Sequence, residues 1–447
     1  MLCNLLLYLF LTIFIYFFYF IIRTRISRSP KSIGFLHPYC NSGGGGERVL
    51  WTSIKALLSE TSSYRIFIYS KDTEDLAQIL EKVYKVFGIQ ISSTNLQLIH
   101  LTKVKYIEAK KYPIGTLFFQ FLGSIILMHE ILSKRPPSLL IDTHGQPFGY
   151  FLAKFSGIQV IAYVHYPLIS TDMIEKVREM RPSYNNSERI SNNARISKVK
   201  LFYYKALMKW YQSVGLFCDL ALCNSSWTIG HIKSTWRAKS KVLYPPCDVN
   251  GFLKLPLELS KKKNVAISIG QFRPEKDHSL QILAFSELVK KYPNLQGELY
   301  LVGSCRDNED LKRVEMLKAL AEEKGLKDLV RFYVNIDYLA LMDLVKCAKV
   351  GLHSMWNEHF GICVVELMAS GLVTIAHNSA GPKQDIINHE INGFLAWSIE
   401  EYAFYIHKAF TQFEELWDLR KNAREKSTTF SEEVFCAGFI SEMRAFL

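Results

Sequence analysis

Ile33-Gly-Phe-Leu-His-Pro-Tyr-Cys-Asn-Ser-Gly-Gly-Gly-Gly-Glu-Arg-Val-Leu50 begins as a short apolar strand and passes through a turn with four consecutive glycines. It then enters a helical pattern running from Glu47 through Leu58. Strand, glycine-rich loop and helix, in that order, form the opening unit of a parallel α/β sheet. Outward from it, strand patterns recur at Arg65 to Tyr69, Leu139 to Asp142 and Val160 to Val164, separated by helix-length segments. The first half of the chain therefore reads as one α/β domain. Tyr244-Pro-Pro-Cys-Asp248 breaks the rhythm, and the polar run Glu258-Leu-Ser-Lys-Lys-Lys263 precedes a new strand at Val265 to Ile269. Strands at Glu298 to Val302, Val330 to Val334, Lys349 to His353 and Val373 to Ala376 follow, with helices between them. This predicts a second doubly wound unit.

At 447 residues, with 49% hydrophobic and 21% charged residues, the chain has a globular balance that excludes disorder, collagen and coiled coil. Fifty-four Lys and Arg against 42 Asp and Glu give a net charge of +12, which favours anionic partners: nucleic acid, phosphorylated small molecules or an acidic membrane face. No recognisable nucleic-acid-binding module occurs in the sequence, so nucleic acid drops out. The nine cysteines include no C-x-x-C pair, which argues for a reducing compartment and against structural zinc.

From Leu2 to Ile22 no side chain is charged, and these 21 residues at about 1.5 Å each span roughly the 30 Å of a hydrocarbon core. A transmembrane anchor is predicted over 1–22. The alternative, a cleaved signal peptide, lacks both a preceding positive charge and a small-residue cleavage site. Arg23, Arg25, Arg28 and Lys31 follow at once, so the positive-inside rule keeps the remainder in the cytosol. Glycosylation acceptors at Asn185 and Asn224 would matter only in a lumenal domain. The expected organisation is an anchor at 1–22, Rossmann-like domains at 32–255 and 256–420, and a helical segment at 421–447 that packs back on the first domain. Two further stretches stand out. Ile114 to Leu132 is strongly apolar but interrupted by Gln120, His129 and Glu130, so a buried or interfacial helix is expected rather than a second span. Glu188 to Tyr211 mixes basic and aromatic residues, as either a membrane-docking segment or a solvated helix face would.

Several residues can carry chemistry. The bare amides of Gly43, Gly44, Gly45 and Gly46, at the start of a helix, can receive an anion, although the lysine of a P-loop is missing and the spacing does not fit a dinucleotide fingerprint. A merely flexible turn is the alternative. In Gly270-Gln-Phe-Arg-Pro-Glu-Lys-Asp-His278, Arg273 and Lys276 follow the first strand of the second domain and can clamp a diphosphate; a solvated basic loop would look the same. Glu358 and Glu366 lie eight residues apart, the first in a loop and the second inside an apolar helix. A carboxylate there needs partners: ribose hydroxyls, or a structural salt bridge. The helix N-terminus near Gly361 can receive phosphate. His165 ends a predicted strand, where it can face a ligand or serve structure alone. With no D-x-D motif and no His/Cys cluster, no metal is expected.

Taken together, Glu358 and Glu366, Met368-Ala-Ser-Gly371 and Gly381-Pro382 resemble the retaining glycosyltransferases with two facing Rossmann-like domains, the GT-B fold of family 4, from about residue 32 to the end. Within it, His37 to Trp51, Gly270 to His278 and Glu358 to Met368 resemble the branch of asparagine-linked glycosylation that adds α-1,2-linked mannoses from GDP-mannose to dolichyl-diphosphate oligosaccharide. That resemblance implies acceptors of the Man3GlcNAc2 and Man4GlcNAc2 type, no metal or cofactor, and single-pass residence in the endoplasmic reticulum membrane with cytosolic catalytic domains. It also implies membrane lipid and other mannosyltransferases of the pathway as partners. By the same resemblance Arg273 and Lys276 would hold the diphosphate, Glu366 the ribose and Glu358 the mannose hydroxyls, with Phe360 and Gly361 in the same donor loop. Ile336, in the Tyr333-Val-Asn-Ile336 loop, would meet the base. His165 would line the sugar pocket, and Gly43 to Gly46 would let the backbone approach the sugar diphosphate. One departure stands out: many members carry the diphosphate arginine directly after the strand glycine, where this chain has Gln271, so the offset Arg273 would substitute. Two alternatives share the motifs: another lipid-acceptor transferase of family 4, and a catalytically silent membrane scaffold. A scaffold has no need of the glycine run, Lys276, Glu358 and Glu366 together.

Overall fold

A computed structural model describes residues 2–61, 63–92, 94–169, 194–258 and 262–447. The chain forms two compact units: unit 1 comprises Met1–Asn224, Thr228–Leu243 and Gly438–Leu447, and unit 2 comprises Ser225–Trp227 and Tyr244–Ala437. Residues 244–255, which composition assigned to the first domain, bury Val249, Phe252 and Leu255 in the core of unit 2. The chain passes into unit 2 at the Tyr244-Pro-Pro break itself, and the polar run that begins at Glu258 follows inside that unit.

Unit 1 contains strands β1 (Ser32–Leu36), β2 (Arg65–Ser70), β3 (Leu96–His100), β4 (Leu139–Asp142), β5 (Gln159–Val164), β6 (Leu220–Cys223) and β7 (Ser240–Val242). They pair in parallel in the order β3-β2-β1-β4-β5-β6-β7. Unit 2 contains β8 (Val265–Ile269), β9 (Glu298–Gly303), β10 (Val330–Val334), β11 (Val350–His353), β12 (Val373–His377) and β13 (Phe394–Ala396), also parallel, in the order β10-β9-β8-β11-β12-β13. In each sheet the winding reverses beside the first strand, between β1 and β4 and between β8 and β11. Ligands of open α/β sheets bind beyond the carboxyl ends of the strands at such a reversal.

All five residues of β1 are buried, as a parallel strand covered by helices on both faces requires. The Gly45–Glu60 helix lays Val49, Leu50, Trp51, Ile54 and Leu57 against this sheet. Four strands escaped the sequence reading: β3, β6, β7 and β13. Leu96-Gln-Leu-Ile-His100 is only half buried and Ser240-Lys-Val242 is three residues long, so neither shows a clean apolar run.

Two helices, Leu2–Ser27 and Thr116–Lys134, are long and apolar enough to cross a membrane by length and composition. The second buries Phe121, Leu127, Met128, Ile131 and Leu132 in unit 1 and leaves Phe118, Phe119, Leu122 and Ile126 exposed. Its Glu130 is satisfied locally, accepting hydrogen bonds from the Thr102 and Lys103 amides and the Thr102 hydroxyl. The end of the first helix is also packed: Phe20 and Ile21 are 2% and 9% exposed, the Phe20 ring lies 4.3 Å from that of His129, and Phe17 meets Phe151 and Phe155. Of the basic aromatic stretch, residues 188–193 lie outside the described residues, as does the Asn185 acceptor site. The helix Ala194–Val214 follows, with Trp210 against Phe121 and Phe148.

Candidate active site

In unit 1 the glycine run crosses from the end of β1 into the Gly45–Glu60 helix, beside the sheet reversal. Gly43 has φ +78°, a left-handed conformation that glycine adopts without strain. Glu47 holds the turn from inside the helix: its Oε2 accepts the Gly44 amide at 2.5 Å and its Oε1 meets Nε2 of buried His37 at 3.0 Å. The other ring nitrogen of His37 lies 2.9 Å from the Thr143 hydroxyl, just past β4. Burial would raise the Glu47 carboxyl, but the hydrogen bond and charge of His37 and the Gly44 amide bring it below the usual carboxylate range. A Cβ on Gly44 would lie 2.8 Å from that carboxylate, so a side chain there would displace Glu47 from the turn.

His165, directly after β5, lies against the same run: a Cβ on Gly46 would meet its Nε2 and the His37 Cε1, each at 3.7 Å. Nε2 of His165 faces the Thr143 carbonyl at 3.0 Å, and a carbonyl only accepts. The proton therefore sits on Nε2, and Nδ1 carries the free lone pair. Desolvation, reinforced by His37, lowers this imidazole to about 4, and His144 beside it to about 3, so both are neutral at neutral pH. A small pocket adjoins them, walled by Tyr150, Tyr163, Tyr211 and Trp236.

In unit 2, Lys276 closes a single turn, Pro274–Lys276, after β8. Asp277 then takes φ +46° and caps the His278–Lys291 helix by accepting the Leu280 amide. The Ser354 hydroxyl, just past β11, donates to the carbonyls of Lys276 and Asp277 at 2.8 and 2.9 Å and accepts from Gln281 at 2.7 Å. These contacts fix the backbone from which Lys276 projects. Its Nζ donates to Glu358 Oε2 at 2.5 Å, and Nε2 of His353 lies 3.2 Å from the same oxygen. The Glu358 loop is pinned in turn. The Gly381 amide donates to the Glu358 carbonyl at 2.9 Å, and the Asn357 amide donates to Ser379 Oγ at 2.9 Å. A Cβ on Gly381 would stand 2.6 Å from Phe360 Cα.

The electrostatics follow from burial. Desolvation would raise the Glu358 carboxyl, but the Lys276 charge and the His353 hydrogen bond hold it far below the carboxylate range. Desolvation would lower Lys276, and Glu358 more than offsets this, so the amine stays charged. Burial keeps His353 neutral despite the carboxylate.

The structure thus joins Lys276, Glu358 and Gly361 in unit 2, and His165 and the glycine run in unit 1. Glu366 lies half-buried on the second turn of the Ile362–Ala369 helix, and Ile336 is half-buried after β10. Arg273 sits beside Lys276 with Nη1 3.8 Å from Glu275. Phe360 buries its side chain in the core, packed against Tyr244 and Phe430. Sequence reading gave no role to His37, Glu47 or Thr143, nor to His353, Ser354 or Gln281. His353 carried a usable signal, since it ends a predicted strand as His165 does. Among the described residues no group of three or more His, Cys, Asp or Glu could hold a metal ion.

Comparison with known proteins adds names to this geometry. Residues 30–236 match the family described as ALG11 mannosyltransferase N-terminus, and 253–428 match glycosyl transferases group 1. A protein of Dictyostelium discoideum named GDP-Man:Man(3)GlcNAc(2)-PP-Dol alpha-1,2-mannosyltransferase is 44% identical over 93% of this chain and 85% of its own length. The Homo sapiens protein of the same name is 43% identical over 94% of this chain and 88% of its own. Among solved structures, sucrose-phosphate synthase from Thermosynechococcus elongatus superposes with a TM-score of 0.65 at 18% identity, covering 93% of this chain and 99% of that one. Anabaena Alr3699/HepE in complex with UDP gives 0.62 at 17%, covering 93% and 100%. At such identities these two report the fold alone, that of two-domain GT-B transferases.

Proposed function

The chain belongs to the ALG11 mannosyltransferase family, and from that premise we propose that it moves mannose from GDP-mannose, in α-1,2 linkage and with retention, onto dolichyl-diphosphate-linked Man3GlcNAc2 and then Man4GlcNAc2. The observation that carries the reading is the half-buried Lys276–Glu358 pair beside the sheet reversal of the domain that matches glycosyl transferases group 1. It combines a cation for diphosphate with a carboxylate for sugar hydroxyls.

In this reading Lys276 and Arg273 hold the diphosphate, Glu366 the ribose, Ile336 the base, and the backbone at Phe360 and Gly361 the donor loop. Glu358 takes mannose hydroxyls, His165 lines the sugar pocket, and the amides of Gly43 to Gly46 receive the sugar diphosphate. The bond from mannose C1 to the phosphate oxygen breaks as the acceptor oxygen bonds to C1 on the same face, and the acceptor proton passes to the leaving phosphate. Positive charge on Lys276 and Arg273 stabilises the departing GDP, so no metal is needed. The Leu2–Ser27 helix anchors the chain once in the endoplasmic reticulum membrane, and Arg23, Arg25 and Arg28 keep the catalytic units cytosolic.

The test is transfer from GDP-mannose to a trimannosyl-chitobiose diphosphate lipid without added metal, comparing wild type with Lys276→Ala and Glu366→Ala. An α-1,2-linked product that both substitutions reduce supports the reading. A folded wild-type protein that binds GDP-mannose and transfers nothing to this acceptor would move the assignment to another lipid acceptor.

A further inference from the structure

Lys276 and Glu358 are 82 residues apart in sequence, yet Nζ and Oε2 lie 2.5 Å apart, with side chains only 23% and 13% exposed. Neither position is incidental. Ser354 clamps the Lys276 backbone through two carbonyls, and the Gly381 amide holds the Glu358 backbone. On the donor-site reading, each side chain occupies the other's ligand position: the carboxylate stands where a phosphate oxygen would neutralise Lys276, and the ammonium where sugar hydroxyls would satisfy Glu358. An arriving diphosphate must therefore draw Lys276 away from a carboxylate, and in a desolvated setting that contact is worth a large part of what the phosphate gains.

We propose, on the donor-site reading above, that Glu358 competes with the nucleotide diphosphate for Lys276, so that the site discriminates between GDP-mannose and GDP. With GDP-mannose both side chains find partners, because the sugar hydroxyls donate to the carboxylate that the lysine leaves. With GDP the lysine is satisfied and the carboxylate keeps only His353. His353, whose Nε2 lies 3.2 Å from the same oxygen, keeps Glu358 from losing every partner while Lys276 is shared. Product is thereby expelled by the group that positions substrate.

The experiment is calorimetric titration of the full-length chain in detergent with GDP and with GDP-mannose, for wild type, Glu358→Gln, Lys276→Met and the double variant. Wild type should bind GDP-mannose more tightly than GDP. Glu358→Gln should bind GDP roughly tenfold more tightly than wild type and lose the preference for the sugar nucleotide. In the Lys276→Met background, Glu358→Gln should leave GDP affinity unchanged, whereas simple removal of a negative charge would tighten it there too. A Glu358→Gln affinity for GDP equal to or weaker than wild type overturns the proposal, as does tightening that persists without Lys276. A wild-type chain that binds GDP as tightly as GDP-mannose overturns it without any variant. Binding of neither nucleotide by a folded wild-type chain refutes the donor site itself, and the competition with it.

Discussion

Glu47 shows how one side chain can set a whole turn. Its two oxygens tie Gly44 to His37, and His37 in turn ties this turn to Thr143, 106 residues further along the chain. Glu47→Ala leaves His37 without this partner in a buried site, and its expected effect is a loss of about 1 to 3 kcal/mol of stability together with a raised KM for GDP-mannose. Chemical denaturation and steady-state kinetics on the same preparation check both. Titration offers a second test at this scale. His278 is 2% exposed, and burial, with help from the Lys276 and Arg313 charges, lowers its imidazole to about 4. An unfolded histidine titrates near 6.5, so between roughly pH 6.5 and 4 the unfolded chain binds a proton that the folded chain refuses. The stability supplied by the neutral ring is fully present above that window and is lost as pH falls through it; His144 and His165 act in the same direction. The denaturation midpoint should fall across this range, and His278→Phe should flatten the slope.

At the scale of elements, the Glu358 loop is held by another loop rather than by the helix that follows it. The segment from Asn357 to Gly361 contains two residues with positive φ, and after β12 the Ser379 hydroxyl and the Gly381 amide pin it. Gly381→Ala would place a methyl 2.6 Å from Phe360 Cα, so the Glu358 loop must shift. The expected result is transfer reduced by tenfold or more, with a loss of about 1 to 3 kcal/mol of stability. Activity assays alongside thermal unfolding separate the two effects, because a shifted loop impairs transfer even at temperatures where the variant is fully folded. The helix Leu2–Ser27 is likewise more than an anchor by composition. Phe17, Phe20 and Ile21 pack on unit 1, and the Tyr16 hydroxyl lies 2.8 Å from His129 Nε2. Deleting residues 1–27 uncovers Phe151, Phe155 and His129, and should destabilise unit 1 by about 3 kcal/mol or more. Unfolding of the full-length and truncated chains in the same detergent measures this.

At the scale of the whole molecule, two sheets wound in the same manner each present a reversal of strand order, and in each the candidate residues lie in the loops beyond it. This much was legible in the sequence: buried parallel strands are short apolar runs, helices repeat at 3.6 residues, and a glycine run between them must be a tight turn. These are local patterns, so Ile33 to Leu58 and Val265 to Lys276 could be placed without any partner. The half-buried β3 and the three-residue β7 could not, because such strands are defined by the neighbour they pair with. The apolar character of Phe360 likewise left open whether its ring meets a ligand or the core, and packing between Tyr244 and Phe430 decided it. The sequence by itself determined the winding of each unit, the apolar first helix and the chemistry available at Lys276, Glu358, His165 and the glycine run. Only the tertiary structure decided that Lys276 and Glu358 share a buried contact, that His353 joins them, and that Glu47 and His37 brace the glycines. The Lys276–Glu358 contact depends on close packing between segments 82 residues apart, which no local periodicity encodes.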